Sequence, residues 1–261
     1  MRLFLLPPDF NGSDNLRLTG KDFNYIVNVL RLKEGCSVTG RDKEGKVWNL
    51  TLETVTKKEC ILSAVSTSKA LATTDQMPQD RPQKNIILYQ CIPKGRKLDE
   101  IIRMATETGV RTVVPVRSRN CVADISGKEN SRIERYNAVV REAIQQSGSL
   151  VPTCIDAVLD ISEIPSDFEK KCRNLGTEGR GLFFHQCRFE ENQQSLLSVL
   201  KEFSGTVGIL VGSEGGLTDE ECAALIKGGF IPVLLKTNIL RCETASVYAI
   251  SAVQTIIEEE L

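Results

Sequence analysis

Histidine and long apolar runs are what this sequence most lacks. Of 261 residues only His185 is a histidine, which leaves little scope for a His-rich metal site, and no metal is expected. No run approaches the roughly 18 apolar residues that a membrane span needs, so no membrane partner is expected either. The start, MRLFLLPPDFNG, has a short apolar stretch broken by Pro7 and Pro8 and lacks a signal-peptide pattern. Charge of one sign is missing too: the formal net charge is −1, so no global basic field announces a nucleic-acid partner. The nine cysteines are odd in number and none falls in a C-x-x-C pair, which reads as reduced thiols in a cytoplasmic protein. What is left is 41% hydrophobic and 26% charged, ordinary for a globular chain of one large domain or two usual ones.

Two rhythms divide the chain. Up to residue 70, short β-type runs (RLFLL, CSVTGRD, KVWNLTLETV, ECILSAVS) are separated by glycine and charged turns, with KEGK at 43–46 a hairpin tip. One helical pattern, DFNYIVNVLRL, puts Phe23, Ile26, Val27 and Leu30 at helical spacing. Residues 1–70 therefore predict a small β-barrel carrying one helix. Residues 71–84 are polar, proline-containing and aperiodic, and read as a linker. From 85 to 261 strands alternate with helices: NIILYQCI, then KLDEIIRMATETG with Gly109 as its stop, then VRTVVPVRS. A helix opened by a capping box of Ser131 and Glu134 follows, and GLFFHQ, TVGILVG and FIPVLLK supply further strands. The alternation predicts an α/β domain with a mostly parallel sheet covered on both faces. The last helix, from about Glu243, carries an apolar stripe too wide for one exposed face, which places it centrally or in a subunit interface.

The stretch GILVGSEGGLTDEECAALIKGGF, residues 208–230, reads as a buried strand, a glycine turn holding Glu214, and a helix capped by Thr218 with Glu221. A glycine turn between strand and helix usually holds a phosphate, yet no Lys-Ser/Thr pair follows as a P-loop requires. Gly212, Gly215 and Gly216 also lack the order of a dinucleotide fingerprint. A carboxylate there opposes a pyrophosphate, because two unit charges 4 Å apart interact by about 4 kcal/mol at an effective dielectric of 20. Ligands with hydroxyls or positive charge fit better; a tight turn needing glycine only for its backbone is the alternative. A second stretch, LLKTNILRCETASVYAIS at 234–251, leads from a strand end through a loop with Arg241 into the last helix at Glu243. The helix dipole alone explains Glu243, and a surface charge explains Arg241. Both loops, however, follow successive strands at their C-terminal ends, where open α/β sheets bind ligands.

Together these stretches resemble the RNA methyltransferases of the SPOUT class, and among them the RsmE family, which makes 3-methyluridine in 16S ribosomal RNA. That family shows G-P-E-G-G-[FL]-[ST]-x-x-E and later L-G-x-R-[IV]-L-R-x-E-T-A. Here the first stands as Gly212-Ser213-Glu214-Gly215-Gly216-Leu217-Thr218 with Glu221, and the second as Ile239-Leu240-Arg241-Cys242-Glu243-Thr244-Ala245. YIVNVLRLKEG, KGRKLDEIIRMATETGVRTVVPVRSRN and REAIQQSGSLVP resemble three more family segments in the same order. The resemblance implies a PUA-like β-barrel that helps hold RNA, a trefoil-knotted SPOUT domain, a homodimer, and S-adenosylmethionine as cofactor. It places the cofactor among Leu210, Val211, Gly212, Glu214, Gly215 and Gly216 on one side and Leu235, Ile239, Leu240 and Ala245 on the other.

Methylating N3 of uracil removes an imide proton and needs positive charge near the developing ring anion. Arg241 stays protonated and fits that second role, whereas Glu243 is a candidate proton acceptor or a helix cap. RNA needs local charge, and residues 81–119 hold nine Arg or Lys against three Asp or Glu. Lys94, Arg96 and Lys97 cluster there, with Arg117 and Arg119 after the next strand, and Arg31, Lys33 and Arg41 are candidates in the barrel. Departures from the family pattern are Ser213 for proline, Met104 for lysine, Thr108 for leucine, Ser149 for arginine, and Lys236-Thr237-Asn238 for G-x-R. The amino-terminal histidine of the family is missing as well, with Asn24 or Tyr25 near its place. The leading expectation is a uracil-N3 methyltransferase acting on 16S ribosomal RNA or the small subunit. A SPOUT enzyme acting on a ribose 2′-oxygen and a non-catalytic RNA-binding or ribosome-assembly protein on the same fold are the alternatives.

Overall fold

In the computed structural model of the protein, residues 3–13, 15–67, 85–121, 129–149, 151–185, 194–235 and 237–259 are described. They divide into two compact units, one of residues 1–81 with 144–148 and one of residues 82–143 with 149–261. The linker expected at 71–84 lies outside the described residues.

In the first unit the alternation of apolar and polar residues becomes a five-stranded sheet. Its strands are β1 (Leu3–Leu5), β2 (Asn15–Thr19), β3 (Ser37–Arg41), β4 (Val47–Val55) and β5 (Glu59–Ser66), in the order β1-β3-β4-β5-β2. β1 runs parallel to β3 and the other pairs are antiparallel. Every second residue turns inward: Leu16 and Leu18, Leu50 and Leu52, Cys60 and Leu62 are buried beside Trp48. The expected tip at 43–46 is a hairpin loop, with Gly45 at φ +86° and Asp42 accepting the Trp48 indole N–H at 2.9 Å. The expected helix is α1 (Gly20–Asn24), which widens into a π-turn over Tyr25–Val29 and buries Ile26 beneath the sheet residues. β2 escaped the sequence reading because NLRLT carries only two apolar residues.

The second unit is a seven-stranded parallel sheet, the α/β class expected. Its elements run β6 (Ile86–Cys91), α2 (Lys97–Glu107), β7 (Thr112–Arg117), α3 (Glu129–Ser147), β8 (Cys154–Ile155), β9 (Leu159–Asp160) and α4 (Ile164–Leu175). They continue with β10 (Gly179–Phe184), α5 (Leu196–Leu200), β11 (Thr206–Val211), α6 (Asp219–Lys227), β12 (Ile231–Val233) and α7 (Cys242–Glu259). The strand order is β12-β10-β11-β6-β7-β8, with β9 also paired to β7. β6 and β11 are buried along their whole length, as strands covered on both faces must be. Gly109, at φ +80°, stops α2 as expected. Ser131 does not cap α3: the helix already runs from Glu129, so the S-x-x-E pattern falls inside it. α7 packs on α2, α5 and β11, a central position that accounts for its wide apolar stripe. Because all seven strands point one way, the loops after β6, β7, β10, β11 and β12 share one edge of the sheet.

Candidate active site

The glycine turn begins where β11 ends at Val211. Its backbone folds back on itself: the Gly216 N–H donates to the Ser213 carbonyl at 2.9 Å, and Gly216 sits at φ +66°. A side chain on Gly212 would meet Gly216 Cα at 3.4 Å, and one on Gly215 would meet Asn120 Cβ at 2.7 Å. Asn120, from the loop after β7, uses that closeness to donate to the Gly215 carbonyl at 2.9 Å. From inside, the fully buried Gln90 at the end of β6 donates to the carbonyls of Val211 and Gly212, both at 3.4 Å. Its own carbonyl accepts the Ser246 hydroxyl of α7 at 2.5 Å. The turn then enters α6 through the expected capping box of Thr218 and Glu221.

Glu214 is fixed by one cation and one backbone N–H rather than left open. Its carboxylate accepts the Lys94 backbone N–H at 3.2 Å and the Lys97 ammonium at 2.7 Å. Partial burial opposes its ionisation, but Lys97, its own backbone N–H and that of Lys94 outweigh this and hold it below the usual carboxylate range. Lys97 lies 3.7 Å from Glu243 as well. Glu243 is also held below the usual range, first by its own backbone N–H against desolvation, then by the Cys242 thiol, Lys97 and Arg241. The Cys242 thiol, in contrast, is pushed up to about 12 by burial and by its bond to Glu243.

On the facing side the loop after β12 runs to Arg241, whose carbonyl accepts the Ala245 N–H at 2.8 Å and so starts α7. Between this loop and the glycine turn lies a cavity of about 350 Å³, inside the range of roughly 300–1,000 Å³ typical of small-molecule sites. Of the residues expected to hold a cofactor, Val211, Gly212, Glu214 and Gly216 line it from the turn and Leu235, Ile239, Leu240 and Ala245 from the loop and α7. Arg241 lines it too, exposed, with no ion pair among the described residues. Leu210 and Gly215 do not: Leu210 points into the core on the other face of β11, and Gly215 backs onto Asn120. Thr237 and Asn238 of the divergent KTN segment are in the lining, whereas Lys236 falls outside the described residues. Sequence reasoning missed Phe184 and His185, which enter the lining from the end of β10. Only strand order brings β10 beside β11 and β12. Burial lowers the His185 pKa, with Asp219 pulling the other way.

The basic residues separate into different classes. Lys94 and Arg96 are exposed at the start of α2, and Arg31 and Lys33 are exposed in the first unit. Arg41 is not a surface cation: it is 7% exposed at the end of β3, although the strand alternation sets it on the face opposite Val38 and Gly40. Lys97 is committed to Glu214 and Glu243, while Arg117 pairs with Asp160 at 3.5 Å and Arg119 with Glu220 at 3.4 Å.

A family model described as an RNA methyltransferase domain matches residues 79–254, and one described as an RNA methyltransferase PUA domain matches residues 18–65. The chain is 26% identical over 249 residues to Ribosomal RNA small subunit methyltransferase E of Bacillus subtilis (strain 168), covering 90% of this chain and 88% of that one. It is 30% identical over 184 residues to the protein of the same name from Rickettsia conorii (strain Malish 7), covering 70% and 69%. Among solved structures it is similar to a Ribosomal RNA small subunit methyltransferase E from Neisseria gonorrhoeae bound to S-adenosyl methionine. That similarity has a TM-score of 0.77 at 25% identity over 98% of each chain.

Proposed function

The chain belongs to the RsmE family of ribosomal RNA small subunit methyltransferases, and on that premise we propose that it methylates N3 of a uridine in 16S ribosomal RNA with S-adenosylmethionine as donor. The observation that carries the reading is the convergence of two stretches separated by α6 and β12, 212–217 and 234–245, on one cavity at the C-terminal edge of a parallel sheet. The residues there suit the cofactor. Val211, Leu217, Leu235 and Leu240 exclude water from an apolar body, and the glycines let backbone groups approach closely. Among the described residues that line the cavity, Arg241 and His185 are not joined by a cluster of cations of the kind that would fit a polyphosphate. The cofactor supplies a methyl group on a sulfonium, ready for in-line transfer to a nitrogen.

Arg241 reaches the rim permanently charged and, among the described residues, with no ion pair, so it can donate to a uracil oxygen as the N3 proton leaves and negative charge builds on the ring. Glu243 remains ionised and occupied by Lys97 and Cys242, which favours bracing over proton acceptance. Lys94 and Arg96, exposed beside the turn, are the cations proposed for RNA phosphates, with Arg31 and Lys33 doing the same from the barrel. Pairing into a homodimer and a cytoplasmic location complete the proposal. Tyr248 of α7, 48% exposed, supports an apolar subunit contact, and a solution mass of twice 28.9 kDa is expected by light scattering; a monomer at micromolar concentration would refute the dimer.

The deciding experiment incubates unmodified small subunits and free 16S ribosomal RNA with protein and S-adenosylmethionine, then analyses nucleosides. 3-Methyluridine is expected, and Arg241→Ala is expected to slow its formation about 100-fold while leaving cofactor affinity within about threefold. A 2′-O-methylated nucleoside, or none, would overturn the assignment in favour of the ribose enzyme or the RNA-binding protein.

A further inference from the structure

Lys97 opens α2, a helix anchored in the core by Leu98, Ile101, Ile102 and Ala105, so its ammonium is carried on a fixed element. That ammonium stands 2.7 Å from Glu214, in the glycine turn, and 3.7 Å from Glu243, in the first turn of α7. Glu214 lines the cavity from the turn, and Glu243 stands at the start of α7 among Arg241, Cys242 and Ala245, which line it from the other wall. Each has a further tie of its own, Glu214 to the Lys94 backbone N–H at 3.2 Å and Glu243 to the Cys242 thiol at 3.1 Å. We propose that Lys97 is a positioning residue, a charge clamp that joins the glycine turn to the start of α7 and sets the spacing of the two walls that take the cofactor.

An isolated exposed ion pair contributes little. Here one ammonium serves two carboxylates on two loops, so its loss does more than delete a bond: it leaves two like charges facing each other at the rim. Among the described residues, the groups that face them are few. Lys94 and Lys97 come from the β6–α2 segment, Glu214 from the turn, and Arg241, Cys242 and Glu243 from the entry to α7. With Lys97 present, both carboxylates stay ionised below the ordinary range, so the clamp holds at neutral pH and yields only as pH falls through those lowered values. Without it, repulsion is strongest at neutral pH and is relieved when acid protonates one carboxylate. The sign of the pH response therefore reverses between wild type and Lys97→Met, which a merely structural lysine would not produce.

The test has two readouts on the full chain. Amide exchange of residues 212–216 and 241–245, measured without cofactor, is expected to be about tenfold faster in Lys97→Met at pH 7, within the range for a residue in a coupling network. The double variant Lys97→Met/Glu243→Gln, which removes the repulsion, is expected to return most of that protection, and Lys97→Arg to keep it. Titration with S-adenosylmethionine, which rests on the proposed function, is expected to show about tenfold weaker binding for Lys97→Met at pH 7.5 and near wild-type binding at pH 5. Unchanged exchange in Lys97→Met, or a defect that Glu243→Gln fails to rescue, overturns the clamp. If wild type binds no cofactor, the proposed function falls, while the exchange readout still decides the clamp.

Discussion

The two walls of the cavity differ in how they are held. The glycine turn is fastened from three directions, by Gln90 beneath it, Asn120 beside it and the Lys94–Lys97 segment across Glu214. The loop at 234–241 has, among the described residues, little beyond the Thr237 N–H to the Leu235 carbonyl and the Ala245 N–H to the Arg241 carbonyl. Its Ile239 stands 83% exposed, the most exposed large hydrophobic described. A wall fixed before the ligand arrives costs no ordering on binding, and it is where orientation is set. A wall with few ties orders when it is covered, and part of the affinity is spent on that ordering. Substitutions in the two walls should therefore separate: in the first, stability and binding fall together, and in the second binding falls alone.

The largest effect is expected from Gly215→Val. Any side chain at 215 starts 2.7 Å from Asn120 Cβ and 3.2 Å from the Asn120 carbonyl oxygen, both close to backbone that cannot swing away. Overpacking of this kind costs roughly 1–3 kcal/mol, which for a chain of this size lowers the melting temperature by roughly 2–4 °C per kcal/mol. Thermal unfolding should show that loss, and titration should show cofactor binding falling with it because the turn must move off Asn120. A variant that melts and binds like wild type would mean that Asn120 does not hold this wall, and the contrast between the walls would lose its main support.

The contrast also explains what the sequence revealed and what it hid. Gly212 to Gly216, the Thr218–Glu221 cap and the run from Ile239 to Ala245 were legible because each is a local pattern: a turn, a helix start, a short segment with its own spacing. Their meeting at one cavity followed from a parallel sheet, which the β-α alternation predicted. The ties of the fixed wall were illegible, since Lys97 and Glu214 are 117 residues apart and Gln90 and Ser246 are 156 apart. Lys97 therefore read as one more cation in a basic stretch. Arg41 misled for another reason: its charge and its place in the strand alternation, opposite the buried Val38 and Gly40, both suggested surface, yet it is 7% exposed. His185 and Phe184 needed the strand order, because nothing in GLFFHQ marks its end as a neighbour of residues 212 and 240.

The smallest effect on stability, and the sharpest test of the second wall, is expected from Ile239→Ser. An exposed substitution away from caps, turns and core usually changes stability by less than about 0.5 kcal/mol, so the melting temperature of the free protein should stay within about 2 °C of wild type. Binding is another matter, because Ile239 lines the cavity and a bound cofactor would cover it. Full burial of an isoleucine contributes roughly 1.5–3 kcal/mol; covering half of one predicts about threefold to tenfold weaker binding of S-adenosylmethionine. The same titration gives a heat-capacity change, which should be less negative for the serine variant because less apolar surface leaves water. Weaker binding with an unchanged melting temperature would mark the loop as a wall completed by its ligand. A loss of stability in the free protein would show instead that Ile239 already packs against the chain in solution, so that both walls are fixed in advance.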